Sequence, residues 1–295
     1  MARTARRRLL ALCLLGSLTL HAATAAHAAS PVWAVRGPNN TVYLAGSVHL
    51  LPTQEAALPP AFERAYGAAA KLVMELDLGK LDPLEMAGWM LEHGSLPAGT
   101  TLREVVGAPR YARVSAAASG LGLAPAVLDA QAPWVVSIEL ADLEFVRLGL
   151  DPQKGVEEQL VARARGDGKP TAGLETLDEE LGGLAGLARE DQMRLLDQTL
   201  DDLNQSADDM HEVVGAWRRG DAAQLAGLLA REYRSFPALY RRLVTARNQR
   251  WLPQIEALLR EHADCMVVVG SLHLVGDDGL LELLRKDGYA PAQLN

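Results

Sequence analysis

The chain has 295 residues, 49% hydrophobic and 22% charged, the composition of a globular protein with a sizeable core. Its net charge of −8 gives it no overall attraction to nucleic acid or to an anionic membrane surface. Its two cysteines, Cys13 and Cys265, offer no disulfide framework, because the first lies in a stretch that reads as a removable leader.

That leader is residues 1–28. Arg3, Arg6, Arg7 and Arg8 form a basic start, Leu9 to Leu20 an apolar stretch, and Ala26-His27-Ala28 a small-x-small cleavage site, the pattern of a secretory signal peptide. The apolar stretch is short for a membrane span, and no other run in the chain reaches its length. Cleavage removes four arginines and no acids, leaving 25 basic against 37 acidic residues and a net charge of −12. The mature chain, residues 29–295, is expected to be one exported domain, periplasmic or secreted, with no stable membrane span. Cys265, in the run Cys265-Met266-Val267-Val268-Val269, is expected to be a buried small hydrophobe.

Val32 to Arg36 and Thr41 to Leu44 read as strands joined by the hairpin signal Gly37-Pro38-Asn39-Asn40. The second runs into Gly46-Ser47-Val48-His49-Leu50. Pro59-Pro60 open a helix over Ala61 to Ala70, and Lys71 to Asp77 reads as a third strand ending on Glu75 and Asp77. Strand, helix, strand in this order suggests a βαβ-like unit. From about 81 to 150 the pattern is helical. Trp134 to Leu148 is amphipathic, with Val135, Ile138, Leu143 and Val146 on its apolar face. Gly155 to Arg165 is a further helix, and Pro170 to Glu175 a short strand ending on Glu175. Residues 177 to about 262 carry almost no strand signal and are expected to form a second helical segment. Within it Asp201, Asp202, Asp208 and Asp209 read as a solvated face, since no calcium-loop spacing is present. The basic stretch Arg231 to Trp251 reads as a packing face or lid, given the charge of the chain. Cys265 to Val269 is a buried strand leading into Gly270-Ser271-Leu272-His273-Leu274, followed by a helix over Gly279 to Lys286 and an edge strand near the end. The expected fold class is α/β, a central mixed sheet with helices packed around it and a large helical insertion.

Four strand candidates thus end in His49, in Glu75 and Asp77, in Glu175, and in His273. Ligands bind at the carboxyl ends of strands in open α/β sheets, so these groups are expected at one edge. Mixed histidine and carboxylate sets suit divalent metals such as Mn, Co or Zn, and a carboxylate left over is a candidate general base. His49, His273, Glu75 and Asp77 are the candidate ligands, and Glu75 and Glu175 the candidate catalytic carboxylates. Arg247 is a candidate clamp for a substrate carboxylate or an oxyanion. The alternative reading for each acid is a cap or a solvated residue. His93, His211 and His262 lack strand-end context and read as surface residues.

The paired motifs Gly46-Ser47-Val48-His49 and Gly270-Ser271-Leu272-His273 resemble the two Gly-x-x-His signatures of the TraB/PrgY/GumN family, which includes the TIKI-type proteases. Glu75 with Asp77, Gly155-Val156-Glu157, Gly173-Leu174-Glu175-Thr176, Arg247-Asn248 with Trp251, and Gly288-Tyr289 match in the same order, so the resemblance spans the mature chain. It implies a fold related to erythromycin-esterase-like and haem-binding ChaN-like proteins. It also implies a metal-dependent peptidase using His49 and His273 with Glu75 or Glu175. The chain departs from the pattern after Thr176, where Leu177-Asp178-Glu179-Glu180 stands in place of a stretch with a glutamine. It departs again before Arg247, where Thr245-Ala246 replaces an acid. Three readings follow: a metal-dependent peptidase or amidase, a metal-free esterase-like hydrolase with His49 as base, and a protein that binds a peptide, pheromone or tetrapyrrole without turnover.

Overall fold

A computed structural model describes residues 29–203, 206–234 and 236–295. The leader read at residues 1–28 lies outside the described residues, as do the side chains of Asp208 and Asp209. The hairpin forms as expected. β1 (Val32–Arg36) pairs antiparallel with β2 (Thr41–Ser47), Arg36 opposite Thr41. The turn is held by the Gly37 amide on the Asn40 carbonyl.

The remaining strands are β3 (Leu51–Pro52), β4 (Lys71–Met74), β5 (Leu150–Asp151), β6 (Thr171–Gly173), β7 (Cys265–Gly270) and β8 (Ala292–Gln293). Six of them form one sheet in the order β6-β4-β7-β2-β1-β8. Four consecutive members, β6, β4, β7 and β2, run parallel, with β6 at the edge, while β1 and β8 add antiparallel pairings at the other side. The sheet is therefore mixed. β3 and β5 pair separately as a two-stranded ribbon, too short to leave a sequence signal.

β7 shows why the sheet is covered on both faces. Cys265, Val267 and Val269 point into one core with Trp33, Val35, Leu44 and Trp251. Met266 and Val268 point into the other with Phe62, Tyr66, Val156, Leu160 and Trp217. Alternation across the pleat sends successive side chains to opposite faces, so a continuous apolar run marks a strand buried on both. Cys265 is buried, and burial pushes its thiol up to about 12, so it behaves as a hydrophobe.

The helices Pro60–Ala68 and Val156–Asp167 lie on the second face, and Ala246–Leu259 and Leu280–Lys286 on the first. The segment from Pro83 to Arg147 is helical, as is most of Leu177–Leu259. Part of this material builds its own core around Leu102, Val136, Leu140, Leu196 and Leu200. Of the face expected on the helix Pro133–Arg147, Val135 is buried and Ile138 packs beside it, but Val146 is half exposed, and toward the end of the helix the buried stripe runs instead through Val136, Leu140 and Glu144. Contact with the helix Arg189–Asp202 sets this stripe, and Glu144 is accommodated there by Arg147, which donates to both of its oxygens at 2.6 Å. The basic stretch before Trp251 packs as expected, with Phe236 and Trp251 buried. No helix among the described residues is long and apolar enough to cross a membrane.

Candidate functional site

The register of the parallel strands creates the site. Ser47 stands beside Gly270, and Met74 beside both Val268 and Gly173. The chain therefore leaves β2, β7, β4 and β6 at one level, and the residues that follow meet at one edge: His49, His273, Glu75 and Glu175.

β4 ends earlier than the sequence suggests, at Met74, so Glu75 already belongs to the turn. Glu75 Oε1 accepts the Gly270 amide at 2.6 Å and Oε2 accepts Arg247 Nη2 at 2.6 Å. Burial pushes the Glu75 carboxyl up. The charges of Arg247 and His49 and the Gly270 amide outweigh it and hold the group below its ordinary value. Asp77 is not part of this cluster. Its carboxylate accepts the Gly79 amide at 3.1 Å and Lys80 Nζ at 2.8 Å, so it caps a turn beside the site.

Arg247 sits one residue into the helix Ala246–Leu259, directly after the π-helical turn Arg241–Thr245. Such turns reorient the side chains that follow them. Its guanidinium donates to Glu75 and, through Nε and Nη2, to Glu175 Oε1. It also stacks 4.7 Å from the Trp251 ring, and Trp251 Nε1 donates to Glu175 Oε2 at 3.2 Å. Arg247 is thus a clamp on two buried carboxylates and is not free to receive a substrate. Glu175 is more deeply buried than Glu75, and burial keeps its carboxyl above the ordinary range even with Arg247 beside it.

The two histidines differ. His273 is buried. Asn248, from the same helix as Arg247, donates its amide to the His273 carbonyl at 3.0 Å and to the Asp278 carbonyl at 2.8 Å. Its Oδ1 must therefore face His273 Nδ1, 2.8 Å away, which fixes the proton on Nδ1. Nε2 is left as an acceptor, with Arg247 Nη1 at 3.4 Å. Burial pushes the His273 pKa down to about 4, against the pull of Glu75, so the ring is neutral.

His49 is 71% exposed, and its Nδ1 lies 3.0 Å from Glu157 Oε1. Glu157 is buried and also accepts the Ser47 hydroxyl at 2.5 Å. The charge of Glu157 raises the His49 pKa well above the imidazole range, so the ring is a cation at neutral pH. Gly155 explains how Glu157 reaches it. A Cβ at Gly155 would overlap the His49 carbonyl oxygen, and the Val156 amide donates to the Val48 carbonyl at 3.1 Å. Glycine lets the start of the helix Val156–Asp167 close onto the histidine loop.

His49, Glu75 and Glu157 line a cavity of about 230 Å³ with Glu158, Glu180 and the apolar Met74 and Leu78. Glu157 and Glu180 were not among the residues expected there. A larger hollow of about 830 Å³ lies among the helices, but its ions are already paired, Arg113 with Asp201 and Arg147 with Glu144, and it holds no histidine.

The expected metal set does not fit this arrangement. Among the described residues no three His, Cys, Asp or Glu side chains are disposed to hold an ion. Both Glu75 oxygens are taken, Arg247 faces His273 Nε2, and Asp77 points elsewhere.

The chain is 25% identical over 247 residues to the uncharacterized protein YbaP of Escherichia coli (strain K12), covering 84% of this chain and 89% of that protein. YbaP of Shigella flexneri matches to the same extent. An uncharacterized protein of Treponema pallidum (strain Nichols) is 24% identical over 270 residues, 86% of this chain and 80% of the relative. No solved structure matches. The family model matches residues 31–293, from the start of the hairpin to the last strand, and the chain belongs to the TraB/PrgY/gumN family.

Proposed function

We propose that the protein is an exported hydrolase acting on a carbonyl substrate, a peptide, amide or ester bond, in the cavity beneath His49. The observation that carries this reading is the exposed His49 imidazole paired through Nδ1 with the buried carboxylate of Glu157. Pairing of this kind fixes the ring and its charge, and leaves Nε2 for a reacting group. As a cation, His49 stabilises the oxyanion that forms when water adds to the carbonyl and donates a proton to the leaving atom. This exchanges the base expected of His49 for an acid, because Glu157 holds its proton. Arg247 takes a positioning role through Glu75 and Glu175.

A second reading keeps a divalent metal. Both histidines are held through Nδ1, the pattern of ligating imidazoles. Mn, Co or Zn would then require Arg247 to withdraw from Glu75 and His273.

The test is hydrolysis of 4-nitrophenyl butyrate and of a peptide library by residues 29–295. It is run after chelation, then with each metal restored, and with His49→Ala alongside. A loss of about 100-fold or more in His49→Ala is expected. Full activity in that variant would end the hydrolase reading. Turnover that survives chelation supports the metal-free form, and turnover that returns only with metal supports the second.

A further inference from the structure

His49 supplies a proton in this scheme, so another group must accept one from the attacking water. The carboxylates near His49 can be taken in turn. Glu75 is held by Arg247 and the Gly270 amide, Glu175 by Arg247 and Trp251, and Glu157 by Ser47 and His49. Glu158 is exposed at the rim, and Asp142, which feels the charge of His49 from the helix Pro133–Arg147, is exposed and does not line the cavity.

The helix Leu177–Ala185 begins with three acids in a row. Glu179 closes a capping box with Thr176, its amide on the Thr176 hydroxyl and its carboxylate on the Thr176 amide. Asp178 accepts Trp89 Nε1 at 2.6 Å. Both therefore have structural work to do. Glu180, the third, is partly buried and lines the cavity with His49; its amide continues the helix to the Thr176 carbonyl, and its carboxylate has no hydrogen-bond or ion-pair partner among the described residues.

We propose that Glu180 is the general base of the hydrolysis inferred above, on which this assignment rests. Water oxygen bonds to the carbonyl carbon while its proton passes to the Glu180 carboxylate. The bond to the leaving oxygen or nitrogen then breaks, its electron pair going to that atom, which takes the proton of His49. The proton on Glu180 returns to His49 through solvent. One water is consumed, and an acid and an alcohol or amine are released.

The surroundings suit the task. Burial, with Glu75 directly after β4 and Glu175 just before the same helix, lifts the Glu180 carboxyl to about 7, against Arg247 and His49. Glu157 and Glu158 face the same cavity from the helix Val156–Asp167. A base poised near the working pH is both available and effective. Glu180 lies in the stretch where the chain departs from the glutamine-containing pattern it resembles, so the assignment is made for this chain.

Glu180→Gln tests it, with 4-nitrophenyl butyrate as probe and hydroxylamine as a nucleophile that attacks without a base. The expected result is a fall in kcat/KM of about 100-fold or more, an unchanged melting curve, and restored release of nitrophenol with hydroxylamine above the uncatalysed rate. An active wild type with Glu180→Gln within about threefold overturns the assignment, as does a loss that hydroxylamine does not restore. An inert wild type overturns the hydrolase reading and the assignment with it.

Discussion

Removing Arg247 should cost stability in a way that depends on pH. The guanidinium side chain is 11% exposed, and the carboxylates it bridges, Glu75 and Glu175, are 10% and 1% exposed. At that burial solvent does little to screen the charges. Arg247→Met keeps the apolar stem but leaves Glu75 without its ion-pair partner and Glu175 with only the half-exposed Arg250 at 3.5 Å, and breaking a buried pair in this way costs about 3–5 kcal/mol. At roughly 2–4 °C per kcal/mol for a chain of this size, Tm should fall by about 6–20 °C at pH 7.5. The sign with pH follows from Glu75. In the wild type its folded pKa is depressed, so it contributes stability above its unfolded value that is lost as pH falls through the folded one. Without Arg247 that contribution is gone, and the uncompensated carboxylates are relieved by protonation. The gap between wild type and variant should therefore close on acidification. Urea unfolding of both proteins at pH 7.5 and 4.5 measures it. A gap below about 1 kcal/mol at pH 7.5, or one of equal size at both pH values, would refute the argument.

Other variants probe the same network. Glu157→Gln removes the charge that raises His49, so the alkaline limb of the kcat/KM profile should move down toward the ordinary imidazole value; an unmoved limb would show that Glu157 does not set the protonation of His49. Asn248→Leu leaves the carbonyls of His273 and Asp278 and the ring Nδ1 unpaired, and urea unfolding should register a loss of about 2–4 kcal/mol. Asp77→Ala breaks a turn cap and an ion pair with the exposed Lys80, so turnover should match the wild type with at most about 1 kcal/mol lost in a thermal melt.

The strand ends were legible because each parallel strand is a short apolar run closed by glycine or an acid, and four such runs have few ways to lie in one sheet. His49, His273, Glu75 and Glu175 could be placed at one edge on that basis. Which of them work as a pair could not, because that depends on helices whose acids look like capping or solvated residues. Glu157 was visible only as part of Gly155-Val156-Glu157, a match to the family pattern with no role attached. Asp77 was misplaced because a two-residue spacing puts side chains on one face only while the strand continues, and β4 stops at Met74. Glu180 follows two acids with structural partners, and nothing in the sequence separates the three. The π-helical turn before Arg247 leaves no residue signature, although Arg247, Asn248 and Trp251 all take their places from the helix it introduces.

The central claim is that His49 and Glu157 act as one unit in hydrolysis, and a double-mutant cycle tests it most directly. kcat/KM for 4-nitrophenyl butyrate would be measured for the wild type, His49→Ala, Glu157→Gln and the double variant. Residues that act as a unit are strongly non-additive. The expected result is a double variant no slower than His49→Ala alone. Losses that multiply, or a His49→Ala protein as active as the wild type, would contradict the account.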